Sequence, residues 1–184
     1  MAEPGFVMAV VALAAFAGTA VLWRKNIRIA RARPGVHDAA PGFTLRDQHG
    51  ASHTLDEFRG QWLVLYFYPR DDTPGCTEQA GRYRDAMREL ESLGARVCGI
   101  SVDDSDSHAD FSRKYKLPFL LLADHKGHVA ARYGSLRDIG PLKFAMRNTF
   151  LIDPAGKIAR VYVGVSAARN THDVLQDLKA LATP

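Results

Sequence analysis

Residues 62–81 read WLVLYFYPRDDTPGCTEQAG. The opening run, WLVLYFY, is continuously apolar, the pattern of a strand covered on both faces. Thr73-Pro74-Gly75-Cys76 then has the order of a helix entrance. With Thr73 at the N-cap, Pro74 falls at the first helical position, where its missing N–H costs nothing, and Cys76 falls at the third. Its sulfur would sit among amides that have no partner within the helix, and those amides and the helix dipole favour a thiolate, the nucleophilic form of cysteine. A helix end typically supplies under about 1 kcal/mol, whereas making an ordinary thiol predominantly anionic at neutral pH takes roughly 3 kcal/mol. A cation must help. Arg70 is close in sequence, and a distant arginine would serve equally. Taken alone, a cysteine in a first helical turn is as readily a small buried hydrophobe.

Outward from this stretch the elements alternate. FTLRDQHGASHTL suggests a short hairpin before the apolar strand. After Cys76, the spacing of Ala80, Tyr83, Met87 and Leu90 predicts a helix ended by Gly94. RVCGISV and FLLLAD read as strands, SDSHADFSRKYK as a helix capped by Ser105 or Asp106, and GHVAARYG as a short helix. NTFLID and IARVYVGV read as strands around the turn PAGK, and THDVLQDLKAL as a final helix capped by Thr171. Strands alternating with helices and closing on a hairpin and a helix predict an α/β three-layer sandwich with a mixed central sheet and helices on both faces, as in a thioredoxin-like fold.

The ends of the chain carry a different signal. Of 24 Lys+Arg among the 184 residues, five lie between Arg24 and Arg33, and the 19 that follow face 19 Asp+Glu. The domain is neutral, which argues against nucleic-acid binding. From Phe6 to Trp23 there is no charge, and 18 residues of helix at about 1.5 Å each span roughly 27 Å, close to a hydrocarbon core. Residues 1–23 are therefore expected to form a transmembrane anchor, with Trp23 at the interface, 24–40 a basic linker, and 41–184 the folded domain. The positive-inside rule places that domain in the cytoplasm as part of a single-pass membrane protein. Export through a signal peptide cleaved near AFAGTA is the alternative.

The phrase YFYPRDDTPGCTEQ, together with RNTFLID some seventy residues later, resembles the peroxiredoxins, specifically the Q type, also called bacterioferritin comigratory protein. The signature Pro-x-x-x-Thr-x-x-Cys is met by Pro69, Thr73 and Cys76, and FTLRDQHG, GISVDDSDSH and RNTFLIDPAGKI are also similar, in register from about Pro41 to the end. The resemblance implies a thiol-dependent peroxidase without a cofactor. In that reading Cys76 attacks a hydroperoxide and becomes a sulfenic acid. Thr73 hydrogen-bonds the peroxide or the sulfur, Pro69 shields it from water, and Arg147 is the cation that supports the thiolate and the oxygens. The amides of Gly75 and Cys76 complete an anion cup.

One departure matters. Many Q-type relatives carry a second, resolving cysteine five residues after the first, where this chain has Gly81. Cys98, the only other cysteine, reads as part of a buried strand. The expected cycle is therefore a one-cysteine cycle resolved by an external thiol from thioredoxin, glutaredoxin or a small molecule. A membrane-tethered, non-enzymatic thioredoxin-like adaptor or peroxide sensor is the competing reading. The domain is expected to be a monomer. His125 and His128 lack a ligand cluster and read as a solvated turn, so no metal is expected. DDSDSHAD lacks the spacing of a calcium loop, His108 reads as a capping or packing residue, and Tyr83 and Phe144 either line the entrance or pack in the core.

Overall fold

A computed structural model describes residues 33–140 and 142–182. The apolar run forms β3 (Trp62–Phe67), paired in parallel with β4 (Ala95–Ser101) and antiparallel with β8 (Thr149–Ile152). Around this centre, β1 (Thr44–Asp47), β2 (Ser52–Thr54), β5 (Leu120–Ala123) and β9 (Ile158–Tyr162) complete a seven-stranded sheet of order β2-β1-β5-β4-β3-β8-β9. The parallel pairs β3/β4 and β4/β5 sit in the middle and the antiparallel pairs at both edges, so the sheet is mixed, as expected.

Strand alternation divides the core in two. Leu63, Leu65 and Phe67 of β3, with Cys98 and Ile100 of β4, face one layer, which also holds Leu55 and Phe58 of a 3-10 turn (Leu55–Phe58) and Val129 and Ala130 of a short helix (His128–Arg132). Val64 and Tyr66 of β3 and Val97 of β4 face the other, covered by α1 (Pro74–Asp85), α2 (Met87–Ser92), α3 (Ser105–Tyr115) and the terminal helix (Asn170–Ala182). With the short helix as α4 and the terminal one as α5, three layers result. The scaffold is a thioredoxin-like α/β sandwich.

Several boundaries differ from the sequence reading. The single helix expected up to Gly94 is two, because Ala86 (φ −90°, ψ −1°) ends α1 and begins α2. Gly94 does provide the left-handed stop, at φ 71°. Helix α3 is capped by Asp104, whose Oδ1 accepts from the Ser107 amide at 2.8 Å, rather than by Ser105 or Asp106. Helix α5 already includes Asn170, one residue before the expected cap at Thr171. A separate hairpin, β6 (Leu136–Ile139) with β7 (Leu142–Ala145), has no counterpart in the sequence reading. Part of the stretch read as linker is tied to the sheet: His37 N donates to Ile158 O at 2.8 Å, Ile158 N to Asp38 O at 2.9 Å, and Ala39 bridges Lys157. The anchor expected over residues 1–23 lies outside the described residues, and among those described no helix is long and apolar enough to cross a membrane.

At the β1–β2 edge, His53 sits between Glu57 (Nδ1 to Oε2, 2.8 Å) and Asp47 (Nε2 to Oδ2, 3.1 Å). Burial disfavours the imidazolium, but the bonds to Glu57 and Asp47 outweigh it and hold His53 above its ordinary range. Burial likewise opposes ionisation of Asp47, and the amides of His49 and Ala51 together with the His53 ring reverse that and hold it low. A raised histidine stabilises the fold fully below its unfolded value and loses that contribution as pH climbs through its folded value. Stability is therefore expected to decline above about pH 6.5 by up to about 1 kcal/mol. Urea midpoints at successive pH values check this: His53→Gln should flatten the decline, and an unchanged slope in that variant would contradict the assignment.

Candidate active site

Phe67 closes β3, and Tyr68 stays beside β4 through its amide on Ile100 O at 3.1 Å. The chain then leaves the sheet at the half-buried Pro69. Asp71 and Asp72 then clamp this loop to α3 and the turn before it. The Asp71 carboxylate accepts from Tyr68 OH (2.7 Å) and Ser107 Oγ (2.8 Å) and pairs with His108 Nδ1 (2.8 Å), while its amide donates to Asp103 Oδ2 (2.9 Å). Asp72, in the left-handed region at φ 55°, accepts from Tyr115 OH and Lys114 Nζ, both at 2.6 Å. His108, read from sequence as a capping or packing residue, is thus a buried partner of the loop. The acidic run around Asp103 and Asp104 serves hydrogen bonding and capping.

Thr73 is extended (φ −89°, ψ 149°) and Pro74 begins α1, the register expected from Thr-Pro-Gly-Cys. The Thr73 hydroxyl does not cap the helix; it donates to Arg70 O at 3.1 Å. The first intrahelical bond runs from Thr77 N to Thr73 O, so the amides of Gly75 and Cys76 precede the helical ladder and are free of that side chain.

Cys76 is 1% exposed. Arg147, two residues before β8, reaches it from the end of that strand. Its Nη2 lies 3.4 Å from Cys76 Sγ, and its Nη1 donates to Gln79 Oε1 at 2.7 Å and approaches Gly75 O at 3.4 Å. A Cβ on Gly75 would stand 3.2 Å from Nη2, so a side chain there would crowd the guanidinium. The segment carrying Arg147 is fixed on both sides. Val165 N donates to Arg147 O at 3.0 Å, and Asn148 accepts Gly164 N (2.9 Å) on its side chain and Phe67 N (2.8 Å) on its carbonyl. A permanent cation is thereby brought against a sulfur at a helix N-terminus.

Cys76 and Thr73 thus share the first turn of α1, Pro69 lies in the loop that leads into it, and Arg147 reaches the sulfur directly. Arg70 is exposed, and the cation at the sulfur is the distant one of the two possibilities. Cys98 lies on the opposite face of the sheet from Cys76, fully buried, and burial pushes its thiol well up. Gly81 is inside α1 with room for a Cβ, its nearest neighbour being Arg84 Nη2 at 3.8 Å. Tyr83 is fully buried core rather than entrance lining. His125 and His128 are exposed, and among the described residues no group of three or more His, Cys, Asp or Glu is placed to hold a metal. Sequence reasoning missed Gln79, although its i, i+3 spacing from Cys76 on the helix was a usable signal.

A thioredoxin-like sandwich with a cysteine in the first turn of α1 and an arginine against its sulfur defines a class of thiol-bearing folds, and the family follows from comparison. The family model described as AhpC/TSA family matches residues 36–161. The peroxiredoxin Q, chloroplastic, of Oryza sativa subsp. japonica is 46% identical over 125 residues, 67% of this chain and 57% of that protein. That of Sedum lineare is 44% identical over 140 residues, 76% of this chain and 73% of the other. Among solved structures, peroxidoxin BcpB from Mycobacterium tuberculosis superposes with a TM-score of 0.78 at 32% identity, covering 81% of this chain and 99% of that one. Xanthomonas campestris peroxiredoxin Q gives 0.73 at 31% identity over 77% and 92%. The chain belongs to the AhpC/TSA family, with peroxiredoxin Q as its kin. It spans a little over half the length of the rice proteins it matches.

Proposed function

We propose that the protein is a thiol-dependent peroxidase that reduces hydrogen peroxide and organic hydroperoxides at Cys76, and the observation that carries this reading is the 3.4 Å approach of Arg147 Nη2 to Cys76 Sγ. The Cys76 thiolate attacks one peroxide oxygen, the O–O bond breaks, and the departing oxygen takes a proton and leaves as water or an alcohol. The sulfur is left oxidised by two electrons as a sulfenic acid. The guanidinium steadies the negative charge that moves from sulfur to the leaving oxygen. The Gly75 and Cys76 amides add donors, Thr73 offers its hydroxyl to the peroxide, and Pro69 screens the sulfur from bulk water. A solved relative, the bacterioferritin comigratory protein of Xanthomonas campestris, is described in terms of alkyl peroxide reduction, which supports the substrate class.

The one-cysteine cycle is supported by the sheet that stands between Cys76 and Cys98 and by glycine at residue 81. In it, an external thiol attacks the sulfenic sulfur, releasing water and leaving a mixed disulfide, and a second thiol frees Cys76. Thioredoxin, glutaredoxin and low-molecular-weight thiols all fit this chemistry. Tethering of a monomeric domain to the cytoplasmic face of a membrane through residues 1–23 rests on the uncharged run from Phe6 to Trp23 and the five cations after it.

The test is peroxide treatment of the full chain, once with dimedone and once without, followed by peptide mapping of both samples, and turnover without dimedone with each class of thiol. Expected are a dimedone adduct on Cys76, steady peroxide consumption that Cys76→Ser abolishes, and no bridge between the two cysteines. A stoichiometric Cys76–Cys98 disulfide would overturn the one-cysteine cycle. An adduct without turnover under any reductant would favour the non-enzymatic adaptor or sensor.

A further inference from the structure

We propose that Asn170, at the start of α5, is a positioning residue for the reaction of Cys76, acting through Gln79 on Arg147; this deepens the peroxidase reading and rests on it. The hydrogen-bond directions fix the path. A guanidinium only donates, so the group 2.7 Å from Arg147 Nη1 is the Gln79 oxygen. The other end of that amide, Nε2, is then a donor, and it lies 2.9 Å from Asn170 Oδ1. The same oxygen accepts from Tyr83 OH at 2.6 Å and Thr149 Oγ1 at 2.8 Å. Gln79, Tyr83, Thr149 and Asn170 are all fully buried.

Asn170 Oδ1 therefore carries three donors from two elements, Gln79 and Tyr83 of α1 and Thr149 of β8, while Asn170 Nδ2 is buried without a partner among the described residues. A buried amide half over-used and half unpaired is poor value for stability alone, because the unpaired N–H groups carry a desolvation cost. The arrangement makes sense as an orienting device. With Nε2 held by Asn170, Gln79 can offer Oε1 to Arg147 in one direction only, which leaves Nη2 turned to the sulfur. The residue is 94 positions from Cys76, and its side-chain hydrogen bonds go to Gln79, Tyr83 and Thr149 rather than to the sulfur or the guanidinium.

The test is a double-mutant cycle in the full chain, with two readouts: the second-order rate of Cys76 with hydrogen peroxide, and its alkylation by iodoacetamide at neutral pH, located by mass spectrometry. Asn170→Ala is expected to slow both about tenfold when Arg147 is present and less than about twofold in an Arg147→Ala background, as for groups in one network. Asn170→Ser, which leaves a hydroxyl among the buried donors, carries the same cycle if the alanine variant unfolds, and thermal melts of each variant accompany the rates. An equal slowing in both backgrounds would make Asn170 a merely structural residue, and no slowing in either would remove it from the path. Each result overturns the proposal. Inertness of the wild-type chain to peroxide, with coupling intact in the alkylation rates, would count against the peroxidase reading and leave the positioning role standing.

Discussion

Arg147→Ala is expected to slow the reaction of Cys76 with hydroperoxide by a factor of about a hundred or more. The guanidinium is the full positive charge against the sulfur, with Nη2 at 3.4 Å, whereas the helix end contributes about half a charge. Removing one preorganised donor from a developing anion costs about 3 kcal/mol in comparable sites, and here charge is lost with the donor. Arg147→Lys should recover only a small part. A point ammonium cannot keep Gln79 Oε1 at 2.7 Å and still present a second nitrogen to the sulfur. Stopped-flow rates with hydrogen peroxide and an organic hydroperoxide give the measurement, with melting curves to show that the fold persists. A rate within threefold of the wild type would exclude Arg147 from the chemistry.

The second large effect falls on stability. Gly99→Ala is expected to cost about 3 kcal/mol, at the upper end of ordinary overpacking. A Cβ there would come within 2.7 Å of both Tyr66 Cζ and Oη and 2.9 Å of Leu121 Cδ2. Neither neighbour can yield easily. The Tyr66 ring is stacked between Tyr68 (centroids 5.4 Å) and Tyr83 (4.9 Å), and Leu121 is a fully buried residue of β5. Because Tyr83 also donates to Asn170, a displaced Tyr66 should disturb the site as well as the core. Urea unfolding measures the loss, and a loss below about 1 kcal/mol would mean that the aromatic stack slides with little resistance.

How much of this was legible in the sequence depended on the range of the interaction. The register of Thr73, Pro74 and Cys76 at the helix start follows from local rules alone, as does the burial of Cys98 within an apolar strand. The break at Ala86 carries no glycine or proline to announce it. At the start of α3, Asp104, Ser105 and Asp106 are all competent caps in a row, and only the fold selects Asp104. The β6–β7 hairpin lies outside the main sheet and leaves Ile139 and Leu142 exposed, so it lacks the strong apolar pattern of a covered strand. Arg147 was reached through family resemblance; periodicity alone reads it as an arginine at a strand end. Asp71 with His108 and Gln79 with Asn170 join positions 37 and 91 residues apart, and no local pattern encodes such pairs.

The seclusion of Cys98 gives the molecule a built-in gauge of its own integrity. Its sulfur faces the layer that the 3-10 turn and α4 lay over the sheet, so a thiol-specific tag can reach it when that layer lifts away. The chain has just two sulfhydryls. A tag count that climbs from one to two per chain would then report how often that layer lifts from the sheet, and a slow second tag would time that opening in any preparation without an added fluorophore.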